Sequence, residues 1–166
     1  MTDSADLGGW FDAYAAGLVL YARQWLPLEA AEDVVQGVFL RLMSQWRSPG
    51  NVKAWLYRSV RNAAIDRQRL EKRRHVFEER QAAEHRPHLQ HKTDDLLDAG
   101  AVEKAIDSLP PEQRELIVLR IWGEMAFREI SEVTGLSIST LFSRYQAALA
   151  ALREAMERPR CKTRTD

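Results

Sequence analysis

The sequence predicts an all-α protein: two small helical domains joined by a flexible linker, the second containing a helix-turn-helix. Three observations carry this. Apolar residues recur at steps of three and four through most of the chain, which is the spacing of one buried helix face. No run of alternating β-branched residues appears. Glycine and proline are scarce, 8 and 6 in 166 residues, and they fall between the periodic segments.

Trp10, Phe11, Tyr14, Leu18, Tyr21 and Trp25 suggest a first helix, stopped near Pro27. Leu28, Ala31, Val34, Val35, Val38, Phe39, Leu42 and Trp46 form the stripe of a second, from about 28 to 46. It ends before Ser48-Pro49-Gly50-Asn51, a strong turn signal. A third pattern runs from about Val52 to Arg74, with Val52, Leu56, Val60 and Ala63 on one stripe. From about His75 to Asp95 the periodicity fails. About twenty residues without a pattern exceed a loop inside a compact domain, so this stretch reads as a linker. Helical signals resume at Leu96, Leu97, Val102, Ala105, Ile106 and Leu109. Pro110-Pro111 then breaks the chain, and Pro111 suits the first turn of the next helix, which runs to Trp122-Gly123. A short helix around Phe127 to Val133, the turn Thr134-Gly135-Leu136-Ser137 and a long helix from Ile138 follow. The expected domains are 1–75 and 96–158, with a linker at 76–95 and a tail at 159–166.

With 45% apolar and 29% charged residues, the chain can bury a core and stay in solution. No apolar run approaches the roughly 18 residues of a membrane span, and the acidic N-terminus lacks the plan of a signal peptide. A cytoplasmic protein with no membrane contact is expected. The single cysteine, Cys161, excludes an internal disulfide or a Cys-rich zinc site. The 24 Lys+Arg cancel the 24 Asp+Glu, so nothing global draws the chain to polyanions. Charge blocks matter more. From Lys53 to Arg74, eight cations face only Asp66 and Glu71, a net of +6. From Asp94 to Glu115, seven acids face only Lys104 and Arg114, a net of −5.

Three faces are candidate sites. On the 28–46 helix, Asp33, Gln36, Gly37, Leu40 and Ser44 lie opposite the core stripe. Gly37 costs about 1 kcal/mol relative to alanine there, which close approach by a partner helix would justify. On the next helix, Arg58, Arg61, Arg69, Lys72 and Arg73 fall near one face beside Asn62, a stripe suited to nucleic acid. Trp55 and Tyr57 lie one turn earlier and are able to stack on an unpaired base, although Trp55 also suits the core. In the C-terminal lobe, Ile130 and Val133 would pack inward, Gly135 would form the tight turn and Ser137 would cap the second helix. That helix would bury Leu141, Tyr145, Ala148, Leu149 and Leu152. Ser139, Thr140, Ser143, Arg144 and Ala147 would face outward, short and polar enough for a major groove. Two bundle helices joined by a glycine turn would read the same way. Arg144 is the only central cation of that face, so its phosphate affinity should be modest.

Together these segments resemble the extracytoplasmic-function branch of bacterial RNA polymerase sigma factors. Glu32-Asp33-Val34-Val35-Gln36-Gly37-Val38-Phe39-Leu40-Arg41-Leu42 is similar to that family's second conserved region. Asn51 to Asp66 resembles the promoter-melting segment, and Ser108-Leu109-Pro110-Pro111-Glu112-Gln113-Arg114-Glu115 with the following helix-turn-helix resembles region four. The resemblance implies that Asp33, Gln36, Leu40 and Arg41, with Gly37 among them, dock on the clamp helices of the polymerase's largest subunit. It implies that the loop 48–51, including Asn51, meets the −10 element with Lys53, Trp55, Arg58, Arg61 and Asn62, next to Arg69. Ser139, Thr140, Ser143 and Arg144 would read the −35 element, and the other side of that lobe would meet the flap of the second-largest subunit. The implied partners are core RNA polymerase and promoter DNA, with an anti-sigma factor as a further candidate. Two departures stand out. Gly37 occupies the place of a usual glutamate, and Phe142, Gln146 and Ala147 stand where many members carry basic residues.

Three other readings compete with this one. His85, His88 and His91 with Asp94 and Asp95 could be drawn as a metal site, but the stretch has no helical pattern and no second shell. No phosphate loop or nucleophile elbow is present, so neither a cofactor nor an enzyme is expected. A dimeric operator-binding regulator would need the 28–46 helix as its dimer surface. A polymerase-binding adaptor would keep the docking face and lose promoter reading.

Overall fold

The structure is a computed structural model and describes residues 4–45, 49–81 and 104–157. Ser48, most of the expected linker, the three clustered histidines with Asp94 and Asp95, and the tail lie outside them. The helices are α1 (Ser4–Ala22), α2 (Leu28–Met43), α3 (Val52–Gln81), α4 (Pro111–Ile121), α5 (Phe127–Thr134) and α6 (Ile138–Glu157). A helical turn at 104–107 precedes α4, and the described residues contain no strand.

α1, α2 and α3 pack on one another. Their core is built from Leu18, Tyr21, Val35, Val38, Leu42, Leu56 and Val60, all fully buried or nearly so. Each such side chain contributes roughly 1.5–3 kcal/mol on burial. From Ala31 to Leu42 the α2 stripe read from the sequence is the buried stripe; Leu28 at its start is exposed, and Trp46 lies outside the described residues. α2 ends at Met43, earlier than the expected 46, where the Ser44 N–H bonds back to the Leu40 carbonyl and the Gln45 N–H to that of Leu42. α3 continues to Gln81, past the expected end at Arg74. Apolar periodicity marks a core-facing stripe, and Glu, Arg and Gln sustain a helix without one.

In the second lobe Pro111 occupies the first position of α4, where its missing N–H costs nothing. The turn after α4 requires Gly123, because a Cβ there would lie 2.5 Å from the Leu119 carbonyl oxygen. Gly135 sits at φ 76° in the left-handed region and ends α5. The Ser137 hydroxyl then accepts the Thr140 N–H at 3.3 Å and caps α6. Ile130, Val133, Leu141 and Ala148 are buried, as their spacing predicts.

The two lobes are docked. α3 runs along α5, and α1 touches α4. One apolar cluster reaches from Leu18 through Val60 to Leu116, Leu119, Met125, Ile130 and Leu141. A smaller cluster of Leu109, Ile117 and Ala148 belongs to the second lobe alone.

Candidate nucleic-acid and protein interfaces

The outer face of α2 borders a groove of about 410 Å³, shared with α1. Gln36 and Leu40 line it with Leu7, Phe11, Phe39 and Met43. Leu40 is 65% exposed, and Phe11 stands edge-on to Phe39 with ring centroids 5.0 Å apart. Gly37 faces open space, with nothing within 4 Å of where a Cβ would sit. Among the described residues no helix makes the close approach that would explain the glycine. Arg41 is exposed. Asp33 turns toward α3, where its Oδ2 lies 3.5 Å from Nη1 of Arg67. An exposed apolar floor beside polar side chains is the composition of a protein-docking surface.

The basic helix α3 is capped by Asn51, the residue before it, whose Oδ1 accepts the Ala54 N–H at 3.0 Å. Asn51 Nδ2 also donates to Glu129 Oε1 at 3.3 Å, and Lys53 Nζ donates to the Glu124 carbonyl at 3.1 Å. Arg61 donates from Nε to Glu115 Oε1 at 2.6 Å and from Nη2 to Oε2 at 3.5 Å. The Tyr21 hydroxyl donates to the same Oε1 at 2.6 Å. Thus four side chains of the first lobe, three of them between residues 51 and 61, hold the second. Glu115 is 9% exposed, and among the described residues it is the buried charged group. A carboxylate so placed is tolerable only when paired and hydrogen-bonded.

Burial, followed by the Glu115 charge and hydrogen bond, raises Tyr21 well above the ordinary phenol range. Burial of Arg61 opposes its charge, but the bond and charge of Glu115 prevail and raise it. Tyr57 is pushed up to about 12 by burial, with Tyr14 and Glu124 adding to it. Trp55 is half-buried against the core. Arg58, Asn62 and Arg69 are exposed, with Arg69 Nη1 3.8 Å from Asp66.

On α6 the four expected side chains do not form one surface. Ser139 and Ser143 are exposed, and Ser143 Oγ donates to the Thr140 carbonyl at 3.0 Å. Thr140 and Arg144 are half-buried. Arg144 Nη1 lies 3.2 Å from Glu112 Oε2 on α4 and lines the cleft between the lobes. Phe142 and Ile138 stand outward instead, each 52% exposed. Sequence reasoning counted Glu115 within an acidic block and so missed the polar centre of the lobe contact. The available signal was an acid one turn before Leu119, on the apolar stripe of its helix. Among the described residues no cluster could hold a metal ion, and no helix is long and apolar enough to cross a membrane.

Two helical units, one presenting a docking groove and a basic helix, the other a helix-turn-helix, define a protein that bridges another macromolecule and DNA. Residues 10–74 match the family model for sigma-70 region 2, and residues 99–152 match that for sigma-70 region 4. The chain belongs to the extracytoplasmic-function branch of the sigma-70 family of RNA polymerase sigma factors. It binds core RNA polymerase and directs it to promoters, and it is an initiation factor rather than an enzyme. It is 30% identical over 130 residues to the RNA polymerase sigma-E factor of Streptomyces antibioticus, covering 76% of this chain and 71% of that one. With sigma factor SigV of Bacillus subtilis it shares 29% over 126 residues, 74% of each chain. The fold is also that of the sigma factor RpoE from Bartonella quintana, solved in complex with the anti-sigma factor NepR. That match has a TM-score of 0.69 and 23% identity, over 93% of this chain and 99% of that one. CnrH, solved with the cytosolic domain of CnrY, matches with a TM-score of 0.64 and 22% identity, over 93% and 90%.

Proposed function

We propose that the two lobes divide the work of initiation by face. The α2 face, with Asp33, Gln36, Gly37, Leu40 and Arg41, docks on the largest polymerase subunit. Asn51, Lys53, Trp55, Arg58, Arg61, Asn62 and Arg69 meet the −10 element and its melted strand. Ser139, Thr140, Ser143 and Arg144 work at the −35 element, and the other side of that lobe takes the flap of the second-largest subunit. The corresponding domains are 1–75 and 96–158, and the protein works in the cytoplasm beside the polymerase. One observation carries the reading. Asn51, Lys53 and Arg61 all bond to the second lobe. A guanidinium pointed at Glu115 is not available to a nucleotide, so the −10 strand reaches Arg61 only once the lobes part. The α2 groove borders none of these bonds, and polymerase has access to it in the docked form. The anti-sigma factor bound to the Bartonella relative supports a partner of that kind here, one that would keep the lobes together.

Separate assays of core binding and open-complex formation test this division. Gln36→Ala is expected to weaken core polymerase binding, while open complexes formed at saturating factor stay near normal. Arg61→Ala is expected to do the reverse. Equal losses in both assays for both variants would refute the assignment.

A further inference from the structure

The outward face of α6 is unusual for a helix that approaches a polyanion. Its first two turns present Ile138 and Phe142, both 52% exposed and one turn apart, flanked by the exposed serines 139 and 143. The cation that the sequence placed there, Arg144, is held by Glu112 at 3.2 Å. The Phe142 ring is not loose. It stands edge-on to Phe127 of α5, centroids 6.0 Å apart, and Phe127 is braced by Tyr145 at 5.6 Å and by the Arg120 guanidinium at 5.5 Å. One edge of the ring is therefore fixed by the first helix of the helix-turn-helix, and the opposite side is bare. Among the described residues α6 packs on α4 and α5, which leave this side uncovered even with the lobes docked.

An apolar group at the N-terminal turns of such a helix has one well-matched feature in a major groove, the 5-methyl group of thymine. We propose that Phe142 is a specificity-determining residue that reads a thymine methyl in the −35 element, and that this chain selects A·T pairs there by apolar contact. The proposal rests on the reading that α6 enters the −35 major groove. DNA is favoured over a protein occupant because the ring lies between two serines, short enough to let the helix sink into a groove, beside a capped helix N-terminus.

The test uses holoenzyme reconstituted from core polymerase and the full chain, on duplexes recovered by selection with the wild-type holoenzyme. Each −35 thymine is replaced singly by deoxyuridine, which keeps the pairing and removes the methyl. Loss of one methyl contact is expected to weaken binding about three- to five-fold at one or two positions. Phe142→Ala should erase that thymine-over-uracil preference, and Phe142→Leu should retain most of it. Indifference to uracil at every position, or a Phe142→Ala loss equal for thymine and uracil duplexes as a protein-docking role would give, overturns the proposal. Scrambling the whole −35 block separates the two levels. If scrambling has no effect, the −35 reading itself fails; if it matters while uracil does not, only the role of Phe142 fails.

Discussion

Gly17 carries no side chain because Tyr57 occupies the space one would take: a Cβ there would lie 2.8 Å from the Tyr57 hydroxyl. Gly17→Ala is therefore expected to displace the tyrosine from its buried site, a cost of about 1–3 kcal/mol offset by about 1 kcal/mol of helix propensity, read as a lowered denaturant midpoint. An unchanged midpoint would mean that the ring moves freely. The same tyrosine gives a pH prediction. Its phenol rises from about 10 in the unfolded chain to about 12 in the folded one. Its contribution is thus complete below about pH 10 and is lost as pH climbs through about 12, a change of roughly 3 kcal/mol. Tyr21 acts in the same direction. Circular dichroism during alkaline titration should show the fold failing in that window, with a shallower fall for Tyr57→Phe. Individual residues were read from the sequence very unevenly. Gly135 and Ser137 announced their roles, because a left-handed turn and a cap depend on chemistry within a few residues. Glu115 did not, since its partners Arg61 and Tyr21 are 54 and 94 residues away.

Among the elements, α2 was the most legible, because its period of 3.6 records which side is covered. Its other side was legible too, through Gly37 and Leu40, which nothing among the described residues covers. Gly37→Ala meets no neighbour and lies in a helix interior, so it should stabilise α2 by about 1 kcal/mol. If the glycine serves a close approach by polymerase, the same variant will melt at a higher temperature and bind core polymerase more weakly. A stabilised variant that binds equally well would remove that role for Gly37. α6 was read less accurately. Helical geometry puts Ser143 and Arg144 about 100° apart, and no pattern within the helix tells which flank is covered by Glu112 of α4.

For the molecule as a whole, the sequence exposed a basic block and an acidic block but gave no distance between them. Lobe docking follows from neither alone, since it also needs an apolar surface on which α3 and α5 meet. Glu115→Ala would leave the Arg61 charge half-buried and the Tyr21 hydroxyl unanswered, the situation that destabilises a buried pair most. In the free chain, energy transfer between dyes on α1 and α6 is expected to fall, and single-stranded −10 DNA to bind more tightly without polymerase. Unchanged transfer would show that apolar contact suffices to hold the lobes. The Arg61–Glu115 pair also bears on how ionic strength is felt. A basic side chain that waits in water gives up condensed ions from the DNA when it reaches a phosphate, and that release makes affinity fall steeply with salt. Arg61 starts from a carboxylate, so binding by the free chain exchanges one anionic partner for another, and salt weakens the starting contact together with the final one. Affinity of the free factor for promoter strands will therefore vary less steeply with salt than the number of its basic residues implies, and the steeper law will return once polymerase holds the lobes apart.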